Sequence, residues 1–406
     1  MSDDQRGSRR TSSLRSSPLG VAIAVSALHA LNDAYTSFLP PLLPRIMGEL
    51  DLSITLAAGL MTALALGSSL AQPLMGRLAD RRGRRALVVL GPMTTGVLLS
   101  LMGIAPGFWT LAVLLAMGGL GSAAFHPPGA SLAARVGQGG RSGMRHAIFS
   151  FCGATGHALG PLAVVWLVAR VGFDGMWVAM LPVLVLGSLL WFVLPPGASD
   201  RILDPPPSAR DIGRILRGPL GLVFGISCTT AFLNSVFLTF QPIVMAAEGA
   251  SEARGAVVLS VYLAGQASGS LMGGFLADRM ARPRLLAILT AVSFPLFALA
   301  FLLPGGGALS LALVLAAGAS NMAVLPPIVV TALEIAPSFA STSSGIVMGL
   351  AWATASLAVL PAGALGDLLG PQIAAIVLTP TVLIGTWFAL RPKLRSHGRP
   401  EVVAAR

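Results

Sequence analysis

Long apolar runs separated by short polar turns make up most of the chain. About twenty consecutive apolar residues suffice for a helix to cross the hydrocarbon layer of a bilayer. Twelve such spans are predicted, at 19–43, 54–76, 86–104, 109–134, 146–169, 176–194, 219–246, 255–276, 285–303, 308–334, 343–365 and 372–390. Between the sixth and seventh lies 195–218, which holds Pro195, Pro196, Pro205, Pro206, Pro207 and four arginines. This polar linker divides a first six-helix bundle, 19–194, from a second, 219–390, with tails at 1–18 and 391–406. The period-two alternation of a barrel strand is not seen.

The two halves repeat one another. Gly76-Arg77-Leu78-Ala79-Asp80-Arg81-Arg82-Gly83-Arg84-Arg85 returns in weakened form as Gly274-Phe275-Leu276-Ala277-Asp278-Arg279, each copy joining two apolar runs. Leu31-Asn32 through Pro40 aligns with Leu233-Asn234 through Pro242, and Ala124 to Pro128 aligns with Ala323 to Pro327. Gly156 and Asp174 align with Gly349 and Asp367. Four correspondences in the same order imply parallel six-helix repeats, which build a transporter with a central cavity between its halves. The predicted fold is therefore all-α and integral to the membrane: twelve helices in two pseudo-symmetric bundles.

Composition agrees with this reading. Hydrophobic residues make up 54% of the 406 and charged residues only 11%, against roughly 25% charged in soluble domains. The net charge of +11 raises the possibility of a nucleic-acid partner, but its distribution argues against one. Of 27 Lys and Arg residues, 24 fall in the segments 6–15, 77–85, 135–145, 201–217, 279–284 and 391–406, leaving Arg45, Arg170 and Arg254 for the alternate loops. That asymmetry is the positive-inside pattern and puts both termini in the cytoplasm. Cys152 and Cys228 lie inside apolar runs and imply no disulfide framework. The basic, Ser-rich start resembles a signal n-region. The run after it carries His29, Asn32 and Asp33 and lacks a cleavage pattern, so a cytoplasmic tail is expected.

Ionisable groups inside lipid need a reason, since a mid-helix Asp costs about 2.5–3.5 kcal/mol. Asp33 is the one carboxylate deep in a span, roughly 21 Å from residue 19 at about 1.5 Å per residue. His29 sits one turn earlier on the same face, and Asn32 and Tyr35 extend the polar stripe. The His29–Asp33 pair can share a proton and is the expected coupling site; a static interhelical hydrogen bond is the plainer reading. His126 precedes Pro127 and Pro128, whose missing amides predict a kink there, repeated at Pro326 and Pro327 without the imidazole. His157 lies in Gly156-His157-Ala158-Leu159-Gly160-Pro161, where the glycines allow close helix approach and the proline a bend. Asn234, Gln241, Gln266, Asn321 and Trp352 are second-half candidates for the substrate cavity, alongside Asn32, Tyr35, His126 and His157. Asp367 falls at a helix end beside Gly370 and Pro371, so a capping role is expected.

Loops of the form G-x-L-A-D-R-x-G-R-R resemble the one between helices 2 and 3 of the major facilitator superfamily. The resemblance implies a gating loop at Gly76, Asp80, Arg81, Gly83, Arg84 and Arg85, with Gly274, Asp278 and Arg279 as its second copy. His29-Ala30-Leu31-Asn32-Asp33 resembles the H-x-x-N-D of the fosmidomycin-resistance branch. Gly121 to Pro127 resembles its G-S-x-x-F-H-P, and Ile148-Phe149, Gly153, Gly156 and Leu159-Gly160-Pro161 resemble its helix 5. That branch implies proton-driven efflux of a small anionic antibiotic across the cytoplasmic membrane. Pro128 stands where the branch often has Glu, and His157 where it usually has a small residue. The second half matches only the wider superfamily pattern.

The expected protein is a non-enzymatic, monomeric secondary transporter of the bacterial inner membrane, with the bilayer and a small molecule as partners. Protons are the expected coupling ions, with no metal or other cofactor and no nucleic acid. Uptake of an organic anion by proton symport is the alternative within transport. An intramembrane enzyme using Asp33, His126 and His157 is a remote alternative, since H-E-x-x-H and a second paired Asp are absent. A sensor would carry a sizeable soluble output domain, which neither tail is long enough to supply. The charge pattern yields a direct test of orientation. A single cysteine introduced as Asp51→Cys should react with impermeant reagent added outside the cell; reaction only from the cytoplasmic side would invert the map.

Overall fold

The structure, a computed structural model, describes residues 18–82, 84–135, 142–194, 209–337 and 340–395. The tail, the linker up to 208 and the last residues of the chain lie outside these. Every element among the described residues is helical. The chain runs through α1 (Pro18–Thr36), α2 (Leu39–Leu50), α3 (Ile54–Leu70), α4 (Gln72–Arg82), α5 (Arg84–Ser100), α6 (Phe108–Arg135), α7 (Ser142–Val171) and α8 (Met180–Val193). After the short α9 (Ala209–Leu216) come α10 (Pro219–Ala247), α11 (Glu252–Ala277), α12 (Arg282–Leu302), α13 (Ala308–Met322), α14 (Leu325–Ile335) and α15 (Ala340–Ser344). A π-helical turn at Gly345–Leu350 leads into α16 (Ala351–Leu369), followed by α17 (Pro371–Leu378) and α18 (Val382–Ala389).

Among the described residues, ten stretches are long and apolar enough to span a bilayer, beginning with Arg84–Ile104 and ending with Pro371–Ala389. The first two predicted spans are each broken in two. Pro40 and Pro41 cannot donate to the carbonyls of Thr36 and Ser37, so α1 stops and α2 starts afresh with prolines in its first turn. The second span breaks at Ala71, two residues before Pro73. The prolines of the two halves act differently. α6 continues through Pro127 and Pro128, whereas the matching segment divides at Ala323–Val324 and Pro326 and Pro327 open α14.

Packing groups the chain into two units: Met1–Phe38 with Leu66–Asp204, and Leu39–Ala65 with Pro205–Arg406. In the first, α1 lies along α7 and α5 along α6. Glycines let these backbones meet. A Cβ at Gly156 would overlap the Ala30 carbonyl, one at Gly160 the Ala34 carbonyl, and one at Gly67 the Ala116 carbonyl. Val25, Leu28, Val88, Phe125, Phe149 and Leu190 fill the core around them. The second unit repeats the device. Gly265 faces the Leu315 carbonyl as Gly67 faces that of Ala116, and Gly274 faces Pro326 as Gly76 faces Pro127. Its core is built on Val223, Ile226, Leu286, Val324, Ile328 and Val347.

Residues 39–65 join the second unit through polar contacts as well as packing. Arg45 donates through Nε and one terminal nitrogen to both oxygens of Glu252, at 2.8 and 3.0 Å, with Glu49 at 3.7 Å. The hydrogen bond to Glu252 holds the Arg45 guanidinium above its already high range. The Asp367 carboxylate accepts from the amides of Ile54 (2.7 Å) and Thr55 (3.1 Å) and from Thr55 Oγ1 (2.5 Å). It therefore caps the first turn of α3, not its own helix, and a negative charge there suits the free amides and the helix dipole. Thr62 Oγ1 adds a bond to the Ser356 carbonyl at 2.8 Å. Asp367→Ala should remove about 1 kcal/mol, read as a Tm lower by a few degrees in detergent. An unchanged Tm would show that the cap contributes nothing measurable.

Candidate functional site

Asp33 is where the polar side chains of the first unit converge. Its Oδ2 lies 3.1 Å from His29 Nε2 and its Oδ1 lies 3.2 Å from His126 Nε2. Asn32 Nδ2 donates to the same Oδ1 at 3.0 Å and to Ser122 Oγ at 3.0 Å. One carboxylate is thus shared by two imidazoles and an amide, on α1 and α6. The rings meet edge to face, with centroids 5.2 Å apart. His29 also stacks on Phe149 at 4.0 Å and touches Phe125, which walls the ring with apolar surface.

The protons on these rings follow from their outer partners. His29 Nδ1 lies 2.8 Å from the Phe149 carbonyl, and His126 Nδ1 lies 2.9 Å from that of Ser122. A carbonyl only accepts, so each Nδ1 carries hydrogen. Each Nε2 can then donate to Asp33 only when its ring holds a second proton. With both rings protonated the three groups carry one net positive charge. With either ring neutral, a lone pair faces the carboxylate. His29, Asp33 and His126 also offer three donor atoms within 4.8 Å of one another, close enough to share a metal ion by donor type and spacing.

The remaining first-half candidates lie around this centre. Tyr35 is buried with its hydroxyl on the Ala179 carbonyl at 2.6 Å, away from the carboxylate. His157, on α7, reaches the backbone of Asp33 at 3.1 Å rather than its side chain. Ser122 and Phe149 stand in the motifs that carry the family resemblance but were not among the candidate site residues. Ser122 precedes His126 by one turn of the same face, a signal that was there to read; Phe149 is ordinary core until the fold sets it on the ring.

In the second unit Asn234 Oδ1 accepts from Tyr262 (2.9 Å) and Gln266 Nε2 (2.5 Å). The repeat partners Asn32 and Asn234 are thus used in opposite senses, one as donor and the other as acceptor. Asn321 Nδ2 donates to the Thr230 carbonyl at 3.0 Å. Gln241 is fully buried with neither side-chain atom paired, and Trp352 is half-buried. Of the basic loops, Arg85 donates to the Trp191 carbonyl and lies 4.5 Å over that indole, while Arg84 is buried. Arg279 folds back over Phe275, and Asp278 is exposed. The side chains of Asp80 and Arg81, and Gly83 altogether, lie outside the described residues.

The sequence pattern of the Major Facilitator Superfamily matches residues 25–358. The chain belongs to that superfamily. Its members are transporters, so this is a multi-pass membrane transporter and not an enzyme. It is 27% identical over 362 residues to the fosmidomycin resistance protein of Escherichia coli (strain K12), covering 86% of each chain. It is equally similar, at 27% over 380 residues, to the MFS-type transporter YfnC of Bacillus subtilis (strain 168), with 89% of this chain and 90% of that one covered. Among solved structures, a bacterial homolog of the human lysosomal transporter Spinster, inward-facing and occupied, superposes with a TM-score of 0.72. At 18% identity over 91% of this chain and 95% of that one, it shares the fold.

Glycine placement within this superfamily member gives a local test. A methyl at Gly153 would fall inside the His29 ring. Gly153→Ala should therefore displace the imidazole and lower transport by about tenfold or more, while purified protein keeps a single symmetric peak on size exclusion. Wild-type transport by a folded Gly153→Ala protein would show that the ring position is not critical.

Proposed function

We propose that this protein is a proton-coupled exporter of a small anionic molecule, with Asp33, His29 and His126 as its coupling and anion-binding centre. The observation that carries the reading is the sharing of the Asp33 carboxylate by two imidazoles whose outer nitrogens donate to backbone carbonyls. Those carbonyls keep both Nε2 atoms pointed at one place, where they can hold either Asp33 or an incoming oxyanion. Proton loading changes the charge of this centre and, with it, how strongly the rings hold Asp33 or an oxyanion. Asn32, itself bonded to Ser122 Oγ, holds the carboxylate from the side.

Export is supported by the resistance named in the relative's description and by the membrane potential. An inside-negative potential favours the departure of an anion by about 2.3 kcal/mol per charge per 100 mV. The positive-inside distribution of the cationic segments supports cytoplasmic termini, with Arg45, Asp51 and Glu252 on the opposite side. Uptake by symport is the second reading. It is favoured by the same rings, because an oxyanion and protons stabilise each other there and would bind together. The sign of proton flux separates the two.

Reconstituted protein should move fosmidomycin, the first anionic probe, with proton flux opposite to it; flux in the same direction would establish symport. Asp33→Asn should abolish accumulation driven by a pH gradient yet allow exchange down the substrate gradient, and His29→Ala should shift the pH dependence. A chelator should change neither. If Asp33→Asn still concentrates substrate with wild-type pH response, Asp33 is structural and coupling resides elsewhere.

A further inference from the structure

The backbone beneath the carboxylate is as unusual as its side-chain partners. Four residues after Asp33 the α-helical pattern ends. The Ser37 amide turns to the Ala34 carbonyl at 3.2 Å and the Phe38 amide to the Tyr35 carbonyl at 3.0 Å, both i to i−3 bonds. In a continued helix the Asp33 carbonyl would take the Ser37 amide. Here it takes Thr36 Oγ1 at 2.9 Å and His157 Nδ1 at 3.1 Å. The bond to Thr36 is local and would travel with α1. The bond to His157 comes from another helix and ties the break to α7.

The surroundings of His157 make that tie stiff. Gly153, Gly156 and Gly160 on the same helix lie against the His29 ring, the Ala30 carbonyl and the Ala34 carbonyl, with no room for a methyl at any of the three. His157 is thus the polar member of a stripe that otherwise lacks side chains, and its hydrogen bond to α1 falls on the residue that carries the carboxylate.

We propose that His157 is a positioning residue for Asp33. By donating Nδ1–H to the carbonyl left at the helix break, it fixes the height and direction from which the carboxylate reaches His29 and His126. This rests on the reading of Asp33 as the coupling group. Loss of the tie lets α1 move at the break, so the carboxylate no longer meets both rings together. Substrate is still bound and exchanged, but proton movement is no longer bound to substrate movement.

The geometry of the donor supplies the test. An Asn amide nitrogen occupies nearly the place of imidazole Nδ1, whereas a Gln amide nitrogen corresponds to Nε2 and sits one bond farther out. In proteoliposomes with fosmidomycin, His157→Asn should keep near-wild-type accumulation under a pH gradient. His157→Gln and His157→Leu should lose about tenfold or more of it while downhill exchange stays within about twofold of wild type. Where His157→Leu fails to fold, the Asn and Gln variants decide alone. Equal behaviour of those two, whether both active or both uncoupled, overturns the proposal. Asp33→Asn is measured alongside. If it remains coupled, the reading of Asp33 fails; if it is uncoupled while His157→Gln is not, only the positioning role fails.

Discussion

A carboxylate within the thickness of a bilayer must be partnered, and the first unit is organised around meeting that demand for Asp33. The penalty of about 2.5–3.5 kcal/mol for an unpartnered Asp at helix centre is offset by two imidazoles and an amide. Each partner is then held in turn. Phe149 and Ser122 carbonyls orient the rings, Ser122 Oγ orients Asn32, and apolar rings enclose His29. Breaking a buried network at one member leaves the others uncompensated. That is why α1 is pressed so closely on α7: glycine at 153, 156 and 160 is what allows the Phe149 carbonyl and the His157 ring to reach it.

The second unit shows the same scaffold under a different constraint. It repeats the Gly67–Ala116 contact of the first at Gly265 and Leu315, and the Gly76–Pro127 contact at Gly274 and Pro326. Yet it has no charge to hold where Asn234-Ser235 stands in the place of Asn32-Asp33. Its polar groups therefore need only each other: Tyr262 and Gln266 turn to one carbonyl oxygen of Asn234. Duplication preserved the backbone geometry, and the placement of ionisable groups made the halves unequal. Binding chemistry can then diverge between halves while their packing stays fixed.

Much of this was legible in the sequence because it is written in local pattern. Hydropathy marked the spans, and fixed offsets marked the repeat. The i, i+4 spacing of His29 and Asp33 put them on one face. What was missed is tertiary. His126 is 93 positions from Asp33, and nothing local says that α6 brings it to the other carboxylate oxygen. Pro40 and Pro41 signal an end to α1, but a long apolar run concealed it, since hydropathy is blind to missing amides. Asp367 was expected to cap a helix end; its partner, the start of α3, is 312 or 313 residues away. The kink expected at Pro127 and Pro128 illustrates the converse. The same Pro-Pro pair interrupts the helix in one half and is absorbed in the other, so the outcome depends on neighbours rather than on the prolines alone.

Residues 39–65 are made early in synthesis but pack with partners made late. A ribosome adding about 5–20 residues per second needs on the order of ten seconds to a minute to progress from residue 65 to Asp367. Arg45 lacks Glu252 for the first part of that interval, and the amides of Ile54 and Thr55 lack their carboxylate until its end. The hairpin between the first two spans is therefore an unfinished surface that identifies half-made chains. Assembly of the finished protein is the event that hides it.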